Sequence, residues 1–355
     1  MLHDLEVYQS WLPSLQSLGF PMGDPTWQYP PGAAIVFLAS GAGTIPFRWM
    51  FTLVILAFDA AVLVTLMVAH ARQQATSWRG VALWSVAALV VGPIMMTRFD
   101  VAPTLLAVAA VVLVARPAWS GAMAAVGTVI KVWPALMLLA IPRPSARRGV
   151  LSFALTAAGL LLGFWVLFHD SLSFLGNQRD RGLQVESTGA LPYLLHSLFG
   201  GDVEFGLKYG SIQVLMNGAE LVGTLVTFVG FVVLAVMVWW RWSGRLDGAA
   251  AGDVALAALL VSLATSRVYS PQFNTWIIGV AAAAVLSQRS RLGTVTISLI
   301  VVSLLTQVVY PWSATQLVDA GPFVIVIQSC RIVLLLVATF MALWAISPAR
   351  TSHTQ

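Results

Sequence analysis

The sequence predicts an all-α polytopic membrane protein, and three observations carry that expectation. Of its 355 residues 59% are hydrophobic and only 9% are charged, against about 25% charged in a soluble domain. So few charges cannot coat a water-exposed surface of this size, and mean hydropathy is +0.86. Third, the apolar residues lie in long runs rich in Ala, Leu and Val, without the alternation of a barrel strand. A disordered chain, a coiled coil and a disulfide scaffold are excluded on the same grounds. The single cysteine, Cys330, can form no intrachain disulfide.

In chain order, the first predicted span is 49–70, closed by Arg72 and Arg79. Run 80–96 returns the chain to Arg98–Asp100, from which 101–114 starts. Run 121–140 has Arg116 before it and Arg143, Arg147 and Arg148 after it. Runs 150–168 and 212–240 flank the long polar segment 170–208, and Trp239, Trp240 and Trp242 form an interfacial belt. Runs 254–265, 273–286, 292–309 and 323–346 complete the set, with Arg289 and Arg291 between the second and third of these. No gap holds a soluble domain, so residues 1–355 form one membrane domain.

Arg and Lys distribution sets the orientation. The Arg72, Arg143, Arg241 and Arg289 groups face the cytoplasm; 3–46, 98–100, 170–208, 267–274 and 311–321 face outward. Run 121–140 is basic at both ends and so refuses to alternate. A broken hairpin resolves this: 121–130 rises, Val132, Trp133 and Pro134 turn, and the rest descends. Pro134 disfavours helix at Trp133 and lacks an amide. A tilted single span kinked at Pro134 is the alternative. With the hairpin about eleven crossings are expected, placing the C-terminus in the cytoplasm.

The net charge of +5 comes from 19 Lys and Arg that mostly flank apolar runs. No basic cluster is dense enough for nucleic acid, so the expected partners include membrane lipids. The acidic, mildly apolar N-terminus predicts no cleaved signal.

Candidate chemistry lies on the outward loops. Asp4, in His-Asp-Leu-Glu-Val-Tyr, is a carboxylate at the membrane edge, able to take a proton from an alcohol; solvated decoration is the alternative. Tyr29, Pro30 and Pro31 form a corner before the short apolar stretch 33–40, which lies along the interface rather than crossing. Asp100 reads equally as a helix N-cap and as a carboxylate positioning an acceptor hydroxyl. Segment 177–187 carries Arg179, Arg181, Gln184 and Glu186; arginine forks suit phosphate oxygens, and pairing within the loop is the alternative. Lys131, Arg331, Asp59 and Glu220 are charges within or beside apolar runs, each needing a partner or a cavity. Arg267, Tyr269 and Gln272 bring donors to a short outward turn around Pro271.

These motifs, in their order, resemble the GT-C superfamily of membrane glycosyltransferases. The likeness is greatest to the actinobacterial polyprenyl-phosphate-mannose-dependent mannosyltransferase-like family, the glycosyltransferase 87 type. Asp4-Leu5-Glu6-Val7-Tyr8 is similar to its Asp-x-x-Val-Tyr, Tyr29-Pro30-Pro31 to its Tyr-Pro-Pro, and Arg98-Phe99-Asp100 to its Arg-x-Asp. Lys131 with Pro134 resembles its Lys-x-x-Pro. The run from Arg181 to Ser187 resembles its Arg-Gly-Leu-Gln-Ile-Glu-Ser, and Ser270-Pro271-Gln272 its Ser-Pro-Gln, followed by Trp276.

The resemblance implies a GT-C-like helical bundle in the cytoplasmic membrane, with its active site in the extracytoplasmic loops. It implies transfer of a hexose, mannose by family, from a polyprenyl-phosphate-sugar donor to a lipid or glycan acceptor. Asp4 is then the general base of an inverting step, with Asp100 the second candidate. Lys131, Arg179, Arg181, Gln184, Glu186, Arg267, Tyr269 and Gln272 hold the donor, and Tyr8, Tyr29, Pro30 and Pro31 shape the interfacial loop. No cofactor, no metal and no nucleotide-sugar fold are expected; the family's transmembrane helix before the aspartate is missing here, either through a late gene start or because this is a truncated relative. The competing reading is a transporter or lipid-binding protein using Lys131, Asp59, Glu220 and Arg331 as a polar path. No internal repeat supports it.

Overall fold

The computed structural model describes residues 2–21, 23–24, 26–172, 174, 182–208 and 210–348. Short helices α1 (Leu2–Ser10), α2 (Leu12–Gln16) and α3 (Ala33–Ser40) precede the first long helix, α4 (Phe47–Arg72). α3 ends at the Gly41 C-cap, too short to span, and is mostly buried against the bundle.

The run expected as one span at 80–96 is instead three pieces, α5 (Arg79–Ser85), α6 (Ala87–Val91) and α7 (Ile94–Thr97). Gly92 sits at φ +81° and Pro93 follows it, so the helix cannot continue. The side-chain amide of Gln307 donates to the freed carbonyls of Leu89 and Val90, both at 2.8 Å. A broken helix is tolerated in a membrane where protein satisfies its backbone in this way.

α8 (Val101–Val112) descends from Asp100, and α9 (Pro117–Ile130) ascends beside it. Lys131 is extended, and residues Trp133–Ala140 return as a 3₁₀ helix before α10 (Arg143–Leu167). The direction of return is fixed at both ends. Gly32 donates to the Val129 carbonyl at 2.8 Å near the top of α9. Near its foot, Ser152 of α10 donates to the Ala118 carbonyl at 2.7 Å. The expected hairpin is therefore what the chain forms, with Lys131 at its tip. α9 and α10 approach closely because residues 121 and 149 are both glycine: a Cβ on Gly121 would collide with the Gly149 carbonyl.

After α11 (Leu191–Leu198), strands β1 (Phe205–Lys208) and β2 (Ser211–Val214) pair antiparallel, with Lys208 opposite Ser211. The expected span 212–240 begins later than its apolar run. Ile212–Val214 belong to β2, and α12 (Ala219–Trp242) starts only after Gly218 at φ +86°. Backbone amides in the strand segment find partners across the hairpin, which a helix start at 212 would forgo.

α13 (Ala251–Ala264) and α14 (Phe273–Leu286) are almost wholly buried and form the centre of the bundle. α15 (Gly293–Gln307) breaks near Tyr310 and is followed by α16 (Ala314–Val318) and α17 (Pro322–Ile346). Among the described residues five helices are long and apolar enough to cross a membrane: α4, α10, α12, α15 with its kinked extension, and α17. α8, α9, α13 and α14 are apolar but shorter. A helix wrapped by other helices needs no lipid-matched length, which is why 101–112 and 251–264 stop early. The protein is thus an all-α multi-spanning bundle carrying one small hairpin.

Candidate active site

One end of the bundle encloses a cavity of 820 Å³. Its walls come from α1, the Tyr29–Pro30 corner, the Lys131 hairpin tip, the segment around Gln184 and Glu186, the β-hairpin and the 266–276 turn. Most of the motifs expected on the outward loops therefore converge here from distant stretches of chain.

Asp4 stands in the first turn of α1 and lines the cavity. Its Oδ2 is 2.7 Å from Nη2 of Arg98, and Nη1 of Arg98 donates to the Tyr8 hydroxyl at 3.3 Å. Tyr8 is buried among Trp11, Phe37, Phe51 and Phe99, with ring centroids 4.8–6.0 Å away. Burial pushes its phenol well above the usual range, so it stays neutral and accepts from Arg98. Burial alone would loosen the Arg98 proton, but Tyr8 and Asp4 outweigh it and raise its pKa. Tyr310, at the kink after α15, lines the same cavity.

Asp100 occupies the N-cap position of α8, yet its side chain makes no capping bond. Its Oδ1 accepts instead from Nζ of Lys131 at 2.7 Å and from Nε1 of Trp276 at 2.6 Å. It is 1% exposed and is not part of the cavity wall. Lys131 does line the cavity. Its ammonium sits 4.9–5.7 Å from the ring centres of Tyr29, Phe99, Phe273 and Trp276, where the ring quadrupoles favour a cation.

Gln184 and Glu186 are positioned by backbone pairing. Val185 donates to Ile212 at 3.0 Å and Val214 to Leu183 at 2.9 Å, while Gln184 donates to the Arg267 carbonyl at 3.0 Å. The segment thus bridges the β-hairpin and the 266–276 turn. From below, Arg331 of α17 donates to the Glu186 carbonyl and, at 3.0 Å, to Gln328 Oε1; Gln328 in turn donates to the Val185 carbonyl. Arg331, a charge within an apolar run, is therefore internal, 1% exposed, and stacked 4.4 Å over Tyr269. Burial lifts the Glu186 carboxyl to about 7, against the opposing pull of Arg331.

The expected donor-binding residues do not all reach the cavity. Lys131, Gln184, Glu186, Arg267 and Gln272 line it, as do Tyr8, Tyr29 and Pro30. Arg267 also donates to Thr224 Oγ1 at 3.0 Å. Tyr269 is fully buried and donates to Asn274 at 3.1 Å, so it supports the wall from behind. Burial raises its phenol to about 12. Pro31 is buried where the corner packs on the top of α9. Arg179 and Arg181 lie outside the described residues. The charges expected of a transport path are scattered: Asp59 lies along α4 beside Trp84, and Glu220 is exposed in the first turn of α12.

Sequence reading missed Phe99, Phe273, Tyr310 and Gln328, and used Trp276 only as a motif neighbour. Gln328 carried a signal, being a polar residue one helical turn before Arg331 inside an apolar run. The aromatics carried none, because apolar rings in a membrane sequence look like core.

No curated protein and no solved structure matches the chain. The family model of glycosyltransferase family 87 matches residues 27–271, a stretch that carries Tyr29, Arg98, Lys131, Glu186 and Arg267 of this cavity and Asp100 behind it. That match spans well over half of the chain, and the protein belongs to glycosyltransferase family 87, an assignment that supports a glycosyltransferase-type activity in the membrane.

Proposed function

We propose that the cavity transfers a hexose, mannose in the first instance, from a polyprenyl-phosphate-linked donor to a hydroxyl of a lipid or glycan, with inversion. The observation that carries this reading is the position of Asp4: a carboxylate on the cavity wall, engaged by Arg98 through Oδ2. The acceptor hydroxyl attacks the anomeric carbon and gives its proton to Asp4. The bond from that carbon to the phosphate oxygen breaks, and polyprenyl phosphate leaves as an anion needing no proton. Lys131 and Arg267, both on the cavity wall, stabilise the charge that develops on it. Asp100 acts behind Lys131 by holding its ammonium in place.

The test is incubation of membranes containing the protein with radiolabelled polyprenyl-phosphate-mannose and endogenous acceptors. Label moving into the lipid or glycan fraction supports the reading; label remaining on the donor, with the protein folded, ends it. The site end is proposed to face outward, since the opposite end gathers Arg143, Arg147, Arg148, Arg241 and Arg245. In a Cys330→Ser background, Leu207→Cys on the exposed hairpin should react with an impermeant thiol reagent in intact cells. Arg147→Cys should react only after permeabilisation, and the reverse pattern would invert the topology.

A further inference from the structure

Three rings in the cavity wall lie nearly parallel. Trp276 stacks on Phe273 with centroids 3.9 Å apart and planes 24° apart, and on Trp133 at 5.0 Å and 16°. All three line the cavity together with Lys131, whose ammonium is 4.9 Å from the Trp276 ring centre and 5.7 Å from that of Phe273. The chain brings them together from the hairpin tip and from the start of α14. A further detail sets this stack apart from ordinary core. Trp133 is 8% exposed, and its indole Nε1 is buried with no hydrogen-bond acceptor. Indole N–H groups normally find a partner when buried, and the Trp276 indole has one in Asp100.

We propose that this stack is the subsite for the sugar ring of the lipid-linked donor, a hexopyranose lying against Phe273, the more exposed outer ring, with Trp276 and Trp133 stacked behind it and its phosphate at Lys131. The inference rests on the transferase reading above and adds which surface recognises the sugar. A pyranose has a face lined by C–H bonds that its ring and hydroxyl oxygens leave slightly positive. The face of an aromatic ring is negative, so the two attract in a geometry that an isoprenoid chain does not require. The sugar hydroxyls radiate from the ring edge, where they meet polar groups of the wall such as Gln272 and Glu186. Lys131 fixes which sugar is meant: the cation beside the rings suits the sugar that carries the anomeric phosphate, that is, the donor.

The experiment is equilibrium binding to the full-length protein in an Asp4→Asn background, so that the donor is not consumed. Two ligands are compared: polyprenyl-phosphate-mannose and the same polyprenyl phosphate without sugar. Phe273→Leu and Trp133→Leu each remove a ring, while Phe273→Tyr and Trp133→Phe keep one as folding controls. The expected result is a loss of roughly tenfold in affinity for the sugar-bearing lipid with Phe273→Leu, the scale of a lost aromatic contact, and a smaller loss with Trp133→Leu, which loosens the rings behind it. Affinity for bare polyprenyl phosphate should stay within about twofold, and the ring-keeping variants should resemble the parent. Lys131→Gln should weaken both lipids. Equal losses for the two lipids, or no loss for either, would overturn the sugar subsite while leaving the transferase reading standing. If the Asp4→Asn parent bound neither lipid, the transferase reading and this inference would fall together.

Discussion

Asp4–Arg98 and Asp100–Lys131 are two carboxylate–cation pairs of equal length, 2.7 Å, at the same end of the bundle. In the first, the two side chains are 22% and 17% exposed, acid before base; in the second, 2% and 13%. Asp4 opens on the cavity, and its partner Arg98 is braced from behind by Tyr8. Asp100 is sealed beneath Lys131 and Trp276 and never reaches the cavity wall. The same chemical pair thus serves two ends. An open carboxylate can exchange a proton with a substrate, whereas a sealed one can only fix the direction of a cation. The difference comes from where each acid enters the bundle, Asp4 on a peripheral short helix and Asp100 at the start of a buried one.

The largest effect should separate these two acids in opposite assays. Asp4→Asn keeps the shape of the side chain but cannot take the acceptor's proton. General-base assistance is typically worth ~10²–10⁴ in rate, so initial velocity should fall by that factor while thermal unfolding in detergent is nearly unchanged. Near-normal turnover would remove Asp4 as base.

Asp100→Asn should act on stability first. Asparagine can still accept from Trp276, but Lys131 loses its counter-charge. Breaking a buried pair costs about 3–5 kcal/mol, and the lower part of that range applies because Lys131 keeps one side to the cavity. The expected result is a lowered unfolding temperature and weakened donor binding. A variant that unfolds normally yet has lost turnover completely would reverse the roles assigned to the two acids.

A smaller effect concerns the third carboxyl of the site. Burial raises Glu186 from 4.5 to about 7, so between those values the folded protein holds a proton that the unfolded chain releases. Stability then falls as pH rises through that window and is level above it. Glu186→Gln should flatten this slope, read as unfolding temperature against pH. An unchanged slope would show that Arg331 compensates the charge more fully than burial opposes it.

Much of this was legible beforehand, and for physical reasons. The excess of apolar residues dictated a membrane bundle because a chain with 9% charge has no other solvent. Basic residues on both sides of 121–140, with Pro134 inside it, favoured a hairpin over a single kinked span. The runs 80–96 and 212–240 misled because hydropathy averages over a window. Single residues such as Gly92 and Gly218, held at positive φ, decided where helix gave way.

By itself, then, the sequence determined the solvent and the helical class, and it favoured the hairpin at Lys131 and a set of polar residues gathered on one end. Those follow from local composition and from backbone chemistry that each residue carries wherever it sits. Only the tertiary structure decided that Asp4 meets Arg98 while Asp100 is sealed against Lys131 and Trp276. It alone turned Tyr269 and Arg331 into supports behind the wall, and stacked Trp133, Trp276 and Phe273 beside the cavity. These are contacts between residues up to 176 positions apart. Burial and pairing at that range depend on how helices pack, which no window along the chain contains.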